Sequence, residues 1–184
     1  TTARSASTGV VYFGTGGNDY LYFDGSSYHL GGVANHMSVT TAGVVTGVSF
    51  SGTATSAKYA DLAEKYTSDK HYVPGTVVVF GGSAEVTISA ESHDPRVAGV
   101  VSTAPGYLMN SELEEGVSIA LQGRVPCRVQ GPVKKGDRLV TSTKAGVACV
   151  MDKALYEPGC IIGKALEDIT DKRVHTIEVA VGRL

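Results

Sequence analysis

The sequence predicts a mainly β protein in which a fibrous, intertwined β segment joins through a short helix to a duplicated β-barrel-like domain. Three observations predict this architecture. The first third alternates strand patterns with turn residues, one helical stripe follows, and the remainder repeats one strand-and-turn pattern twice. We place the fibre shaft or oligomerisation segment at residues 1–55, the helical linker at 56–73 and the duplicated domain at 74–184.

The composition indicates a folded chain with a weakly charged surface. Charged residues make up 18% of the 184 residues and the net charge is −2, against a typical charged fraction of about a quarter. No apolar run approaches the length that spans a bilayer. We therefore expect no nucleic-acid partner and no membrane insertion. The chain opens on Thr1 instead of methionine, so we expect a fragment or a cleaved product of a longer protein.

Residues 1–55 contain strand-like pieces at 10–13, 20–23 and 28–30, separated by Gly, Asn, Asp and Ser turns. Strands this short make no independent core, and their open edges favour pairing with other chains. We therefore expect a homo-oligomer, a trimer intertwined through this segment.

A helix is predicted between the two parts. Its apolar stripe, at i, i+3, i+4 and i+7, consists of Tyr59, Leu62, Ala63 and Tyr66. Ser56 is suited to the N-cap, and Pro74 lies beyond the C-terminal end of the predicted helix.

From residue 74 onwards one pattern occurs twice, about sixty residues apart, a little long for a solenoid repeat. Each copy has a small-residue turn followed by two β-branched runs. Each then has an apolar run around a glycine, at 97–101 in the first copy and 161–165 in the second. Each ends on an alternating strand, at 117–121 and 177–181. Neither copy buries its apolar face alone, whereas two copies packed together do.

Several of these stretches resemble bacteriophage proteins. Residues 9–14, 20–25 and 28–30 resemble the repeating shaft modules of phage tail fibres and related appendages, and residues 59–66, 74–82 and 96–102 resemble the C-terminal domain of phage fibre-like structural proteins. The resemblance implies a structural component of a phage tail fibre or appendage, assembled in the host cytoplasm and present in the virion. It also implies a homotrimer that binds other fibre or baseplate proteins, with a C-terminal domain that holds the chains in register and contacts the host surface.

The same stretch is similar to the self-cleaving chaperone domain of phage neck-appendage proteins, the glutamic peptidase G2 family. In that family an Asp and a Glu three residues later lie at the cleavage point, and the matching residues here are Asp61 and Glu64. The resemblance implies an intramolecular chaperone that cuts itself before Asp61. On a helix the two carboxylates share an edge, so one serves as base and the other as acid. The structural alternative is that Lys58 and Lys65 neutralise both as surface ion pairs.

Other residues suggest chemistry more weakly. Ser92, His93 and Asp94 form a hydrolytic trio in sequence only, and Pro95 marks a turn. Four tyrosines are candidates for stacking on host-glycan sugars or for packing between subunits: Tyr12, Tyr20, Tyr22 and Tyr28. A basic cluster, expected to be a solvated or oligomer-facing surface, contains Arg124, Arg128, Lys134, Lys135 and Arg138.

We expect no metal site and no cofactor. The five histidines show no metal-ligand spacing, and no phosphate-binding glycine motif is present. The three cysteines are odd in number and lie in or beside apolar strands, so we expect buried free thiols.

Overall fold

The computed structural model describes residues 9–13, 19–31, 35–47 and 61–182. The chain divides into two compact units, Thr1–Thr55 and Ser56–Leu184, and each is described by itself. Both units are built from strands, which confirms the mainly β fold class.

The first unit contains one five-stranded antiparallel sheet in which each strand pairs with the next along the chain. Its strands are β1 (Gly9–Phe13), β2 (Asp19–Phe23), β3 (Ser27–Gly31), β4 (Asn35–Thr40) and β5 (Val45–Gly47). The turn between β2 and β3 is closed by Asp24, whose Oδ1 accepts hydrogen bonds from the Ser26 and Ser27 amides at 2.8 Å each. Phe23 and Tyr28 face each other beyond this turn with their ring centroids 4.8 Å apart. The strands expected in this segment are thus present.

Every strand pairing in the described part of the first unit joins neighbouring strands of the same chain. Among these described strands, β1 and β5 form the two edges of the sheet. Exchange of strands between chains is not needed for these pairings and stays a prediction.

Between residues 61 and 182 the second unit forms one continuous sheet of ten strands, of which β11 is the longest at 14 residues. The strands are β6 (Asp61–Tyr66), β7 (Val77–Phe80), β8 (Val86–Ile88), β9 (Val97–Val101), β10 (Tyr107–Met109), β11 (Val117–Gln130), β12 (Arg138–Thr141), β13 (Ala148–Val150), β14 (Ile161–Ala165) and β15 (Val174–Val181). A single turn of 3₁₀ helix, Lys153–Leu155, follows β13.

The helix predicted over 56–73 is wrong for the described residues. Asp61–Tyr66 is strand β6, and the structure gives no helix at 67–73; residues 56–60 lie outside the described part. β6 pairs with β11 on one side and with β10 on the other. These two ladders override a helical pattern that only about two turns of sequence supported.

The first half of the second unit forms a closed barrel. β11 pairs with β9, β9 with β7 and β7 with β8, while β6 pairs with the other side of β11. A parallel bridge between Ser68 and Val86 joins the end of β6 to β8 and completes the circle. The Val86 amide donates to the Thr67 carbonyl at 3.1 Å across this closure.

The second half forms a second barrel with the same strand order. β11 pairs with β15, β15 with β14, β14 with β12 and β12 with β13. A parallel contact between Val129 of β11 and Ala148 of β13 closes it. β11 therefore belongs to both barrels. Its first half is the last strand of the first barrel. Its second half is the first strand of the second barrel, in the position equivalent to that of β6 in the first barrel.

The hydrogen bonds at equivalent positions show the duplication directly. The Gly75 amide donates to the Val101 carbonyl at 2.8 Å, and the Gly136 amide donates to the Ala165 carbonyl at 2.8 Å. Both glycines have positive φ, +84° and +91°, which the turn before the first β-branched run requires. The duplicated β-barrel-like domain predicted from the sequence is confirmed.

Two hydrophobic clusters lie inside the second unit. The smaller one occupies the first barrel and includes Val78, Val101 and Ile119. The larger one fills the second barrel and also takes in Val77 and Val100 from the first. The strands β7 and β9 are thus covered on both faces, which explains their unbroken apolar runs.

Candidate functional site

Asp61, the first member of the predicted acidic pair, begins β6 and is buried, with 7% of its surface exposed. Its Oδ2 accepts a hydrogen bond from the Ser102 hydroxyl at 2.6 Å. Its carbonyl oxygen accepts from the Gly106 amide at 2.9 Å. Asp61 therefore fixes the loop that leads from β9 to β10.

Glu64 lies on the other face of β6, because side chains three residues apart in a strand point to opposite sides. Its Oε2 accepts a hydrogen bond from the Tyr66 hydroxyl at 2.7 Å. Burial and this bond to Glu64 raise the pKa of Tyr66 to about 12. The shared helix edge expected for Asp61 and Glu64 is wrong, because the residues form a strand.

Lys65 does not neutralise the acidic pair as expected. Its Nζ donates to the carbonyl oxygens of Ser111 and Leu113 at 3.2 and 2.9 Å. Lys58 and the peptide bond before Asp61 involve residues outside the described part. The prediction of a cut before Asp61 stays a prediction.

Ser92 and His93 are hydrogen-bonded, but in an arrangement unsuited to nucleophilic catalysis. The Asp152 amide donates to His93 Nε2 at 3.0 Å, so in the neutral ring the proton is on Nδ1. Nδ1 lies 2.8 Å from the Ser92 hydroxyl and donates to it, which is the reverse of a base that takes a serine proton.

Asp94 does not complete the hydrolytic trio. Its two carboxylate oxygens bind Arg96 at 2.9 and 2.7 Å. This bidentate pair, together with the Arg96 amide, lowers the pKa of Asp94. Ser92, His93 and Asp94 are therefore structural in this geometry.

The same segment links the two barrels, a role that sequence reasoning missed. The His93 amide donates to the Thr141 carbonyl at 3.1 Å, and the Asp94 amide donates to the Thr141 hydroxyl at 2.8 Å. His93 adopts a φ of +57°, uncommon for a side chain other than glycine. That conformation depends on contacts with distant residues, so the local sequence gave no signal for it.

Two members of the basic cluster, Arg124 and Arg138, have different surroundings. Arg124 lies 3.9 Å from Glu178 across β11 and β15, and Arg138 lines a surface pocket on the second barrel. Of the four tyrosines, Tyr28 has 52% of its surface exposed, while the side chains of Tyr12, Tyr20 and Tyr22 lie outside the described part.

Within residues 9–13, 19–31, 35–47 and 61–182, no group of three or more His, Cys, Asp or Glu side chains is arranged to hold a metal ion. His175 lies 2.8 Å from Asp171 in a local contact. The cysteines are free thiols: Cys127 and Cys160 are buried and Cys149 is partly buried. Burial raises the pKa of Cys127 to about 12, so this thiol stays protonated and unreactive at neutral pH.

Fold and site together define a mainly β protein with a tandem barrel that shares one long strand. No family model matches the chain, and no curated protein matches it either. Among solved structures, the crystal structure of the pre-mature bacteriophage phi29 gene product 12 matches 81% of this chain at a TM-score of 0.54 and 14% sequence identity. The chain spans 24% of the length of that phage protein. The protein thus shares its fold with part of a bacteriophage protein.

In the part of the chain that the structure describes, no helix has the length and apolar character needed to cross a membrane.

Proposed function

We propose that this chain is a structural component of a phage tail fibre or appendage, in which the tandem barrel trimerises the chains and holds them in register. The observation that carries the proposal is the fold that 81% of this chain shares with pre-mature bacteriophage phi29 gene product 12. The host surface is a further contact of the same assembly, and the virion is its location.

The described parts of the two units differ in how much apolar surface each buries by itself. The described part of the first unit is a single sheet with two edges and with exposed apolar side chains such as Leu30 and Val45. Short strands of this kind slip in register and gain stability by association. The second unit has two buried clusters of its own. A folded domain that associates first raises the local concentration of the attached segments and aligns them.

The test is the mass of the assembly in solution, measured by sedimentation equilibrium or light scattering. We expect the full chain to be a trimer. Removal of residues 74–184 is expected to leave the first unit monomeric or aggregated, and the matched removal of residues 1–55 is expected to leave a folded, associated tandem barrel. A monomeric full chain, or a well-formed trimer without residues 74–184, contradicts the proposal.

A second candidate function is self-cleavage before Asp61. The observation that favours it is the buried Asp61 carboxylate, held at 2.6 Å by Ser102 at the start of the first barrel. The phage protein that shares the fold was solved in its pre-mature form, and a form that precedes maturation is consistent with a self-cleaving chaperone. Asp61 and Glu64 lie on opposite faces of β6. A cleavage reaction that uses both carboxylates therefore requires a geometry different from the one expected for a helix.

Intact-mass spectrometry of the full chain during prolonged incubation tests this second function. Cleavage yields a fragment that begins at Asp61, and we expect Asp61→Asn and Glu64→Gln to abolish it. Glu112→Gln, in the exposed loop that follows β10, is the matched control and is expected to cleave normally. A single intact mass throughout rules self-cleavage out while leaving the structural proposal untouched.

A further inference from the structure

A pocket of about 380 Å³ on the second barrel is lined by three cations, Arg138, Lys153 and Lys164. Arg138 comes from β12, Lys164 from β14 and Lys153 from the 3₁₀ turn after β13. Lys164 is half-buried, whereas Arg138 and Lys153 are exposed. Three separate elements thus bring positive charge to one concave place.

Two of these cations oppose each other directly. Arg138 and Lys164 are register partners in the antiparallel β12–β14 ladder, so their side chains leave the same face of the barrel. Like charges at opposed positions of a sheet are destabilising. The arrangement costs stability unless an anion lies between the two side chains.

The protein supplies these cations with little counter-charge. Among the described residues, none of the three side chains forms an ion pair or a hydrogen bond, in contrast to Arg96 and Arg173, which bind aspartates. The pocket contains one carboxylate, Asp137, and its Oδ2 accepts a hydrogen bond from the Lys134 amide at 2.8 Å. Three cations against one carboxylate leave a surplus of two positive charges.

An apolar cavity of about 460 Å³ adjoins this pocket and shares Asp137 and Val150 with it. Val133 and Ile169 contribute to its wall. Lys134 and Asp168 add one charge of each sign, so the surplus over both spaces stays at two positive charges. Val150 is partly exposed at 37% although it ends a core strand. A ligand that fills both spaces therefore carries an apolar portion next to its charge.

We propose that this pair of pockets binds a small organic dianion, either a phosphate monoester or a dicarboxylate, with its charged end among Arg138, Lys153 and Lys164 and its apolar end over Val150. A dianion matches the two surplus charges. The guanidinium of Arg138 binds either group through two parallel hydrogen bonds, and the lysines add point charges. This inference does not depend on the oligomeric state or on cleavage.

Isothermal titration calorimetry of the full chain at low salt tests the proposal. The probes are phenyl phosphate, phenylsuccinate, inorganic phosphate and, as a neutral control, benzyl alcohol. We expect the phenyl-bearing dianions to bind at least about fivefold more tightly than inorganic phosphate, and benzyl alcohol to give no measurable binding. A preference for phenyl phosphate identifies a phosphate site, and a preference for phenylsuccinate identifies a dicarboxylate site.

Variants locate the binding. Lys164→Gln and Arg138→Gln are each expected to weaken the tighter probe by about tenfold or more, whereas Lys135→Gln, an exposed cation outside both pockets, changes affinity by less than about twofold. Val150→Ser is expected to remove the advantage of the phenyl-bearing probes over inorganic phosphate. The absence of heat with all three anions overturns the proposal, as does an equal loss in Lys135→Gln.

Thermal unfolding gives an independent readout. Without ligand, Lys164→Gln is expected to raise Tm because it relieves the like-charge pair. With the tighter dianion, Tm of the unaltered chain is expected to rise, and that of the variant to stay constant. A variant with lower Tm in the absence of ligand contradicts the like-charge argument.

Discussion

Gly99 and Gly163 occupy equivalent positions in the two barrels and show why a glycine stands in the middle of each apolar run. A Cβ at Gly99 would overlap the Ala120 carbonyl oxygen, and one at Gly163 would overlap the Ala180 carbonyl oxygen. Ala120 and Ala180 lie in the closing strands of the two copies. A glycine is therefore required at both positions because the neighbouring strand approaches closely.

Gly163→Ala is expected to destabilise the second unit strongly, by about 3 kcal/mol, because a backbone carbonyl gives way only with a shift of the whole strand. Gly136→Ala is the matched control: it has a φ of +91° and open space around its Cα, so its cost is conformational and about 1–2 kcal/mol. Guanidinium unfolding curves measure both. Equal losses for the two variants would mean that β14 moves freely away from β15.

Asp94 gives the stability of the protein a defined dependence on pH. The Arg96 guanidinium, bound to both carboxylate oxygens, holds the pKa of Asp94 below its usual range. The unfolded chain therefore binds this proton at a higher pH than the folded chain does. The stabilisation is fully present above about pH 5 and is lost as the pH falls through the unfolded-state pKa and then the folded-state pKa.

We expect the free energy of unfolding to fall less steeply between about pH 5 and pH 2 in Asp94→Asn than in the unaltered chain. Urea unfolding at a series of pH values measures the two slopes. Arg96→Gln, which removes the bound guanidinium, is expected to reduce the slope in the same direction. An unchanged slope in Asp94→Asn would show that its carboxylate is not preferentially stabilised in the folded chain.

At the scale of elements, the segment that contains His93 fastens one barrel to the other. His93 accepts a hydrogen bond from Asp152 and donates its own amide to Thr141. His93→Ala is expected to destabilise the unit by about 1–3 kcal/mol, because the Asp152 amide loses its acceptor. Ser92→Ala, which removes only the partner of Nδ1, is expected to cost less than about 1 kcal/mol. Denaturant unfolding compares them, and a larger loss in Ser92→Ala would reverse the assignment.

Local sequence predicted the repeated strands better than it predicted β6. The turn glycines Gly75 and Gly136 and the alternating closing strands have a local signature, and the structure contains both copies. Asp61–Tyr66 is only six residues long, so its sequence pattern does not distinguish a helix from a strand that buries positions 61 and 63. Its ladders with β10 and β11 decide the outcome, and they join residues far apart in sequence.

The candidate site was predictable only in part for the same reason. Asp61 and Glu64 are identifiable as carboxylates in a motif, but the face each one occupies depends on β6 being a strand. The contacts of Asp61 with Ser102, and of His93 with Asp152, cross between elements and have no local signal. The facing pair of Arg138 and Lys164 depends on strand register in the same way.

At the scale of the whole second unit, we expect the two barrels to unfold as one. They share β11, and the larger hydrophobic cluster contains Val77 and Val100 of the first barrel as well as Leu139 of the second. Leu139→Ala, at a fully buried position in the second barrel, is expected to cost about 2–5 kcal/mol. Hydrogen exchange should show equal loss of protection at the Val78 and Val179 amides. Retained protection at Val78 alone would indicate two independent folding units.

β11 also determines how the second unit responds to mechanical load. A pull along its 14 residues would be resisted by its ladders with β6, β9 and β15, which lie along its length. Such a pull shears these hydrogen bonds together, whereas a pull across a sheet edge peels them apart one after another. Traction along this shared strand is therefore spread over both barrels.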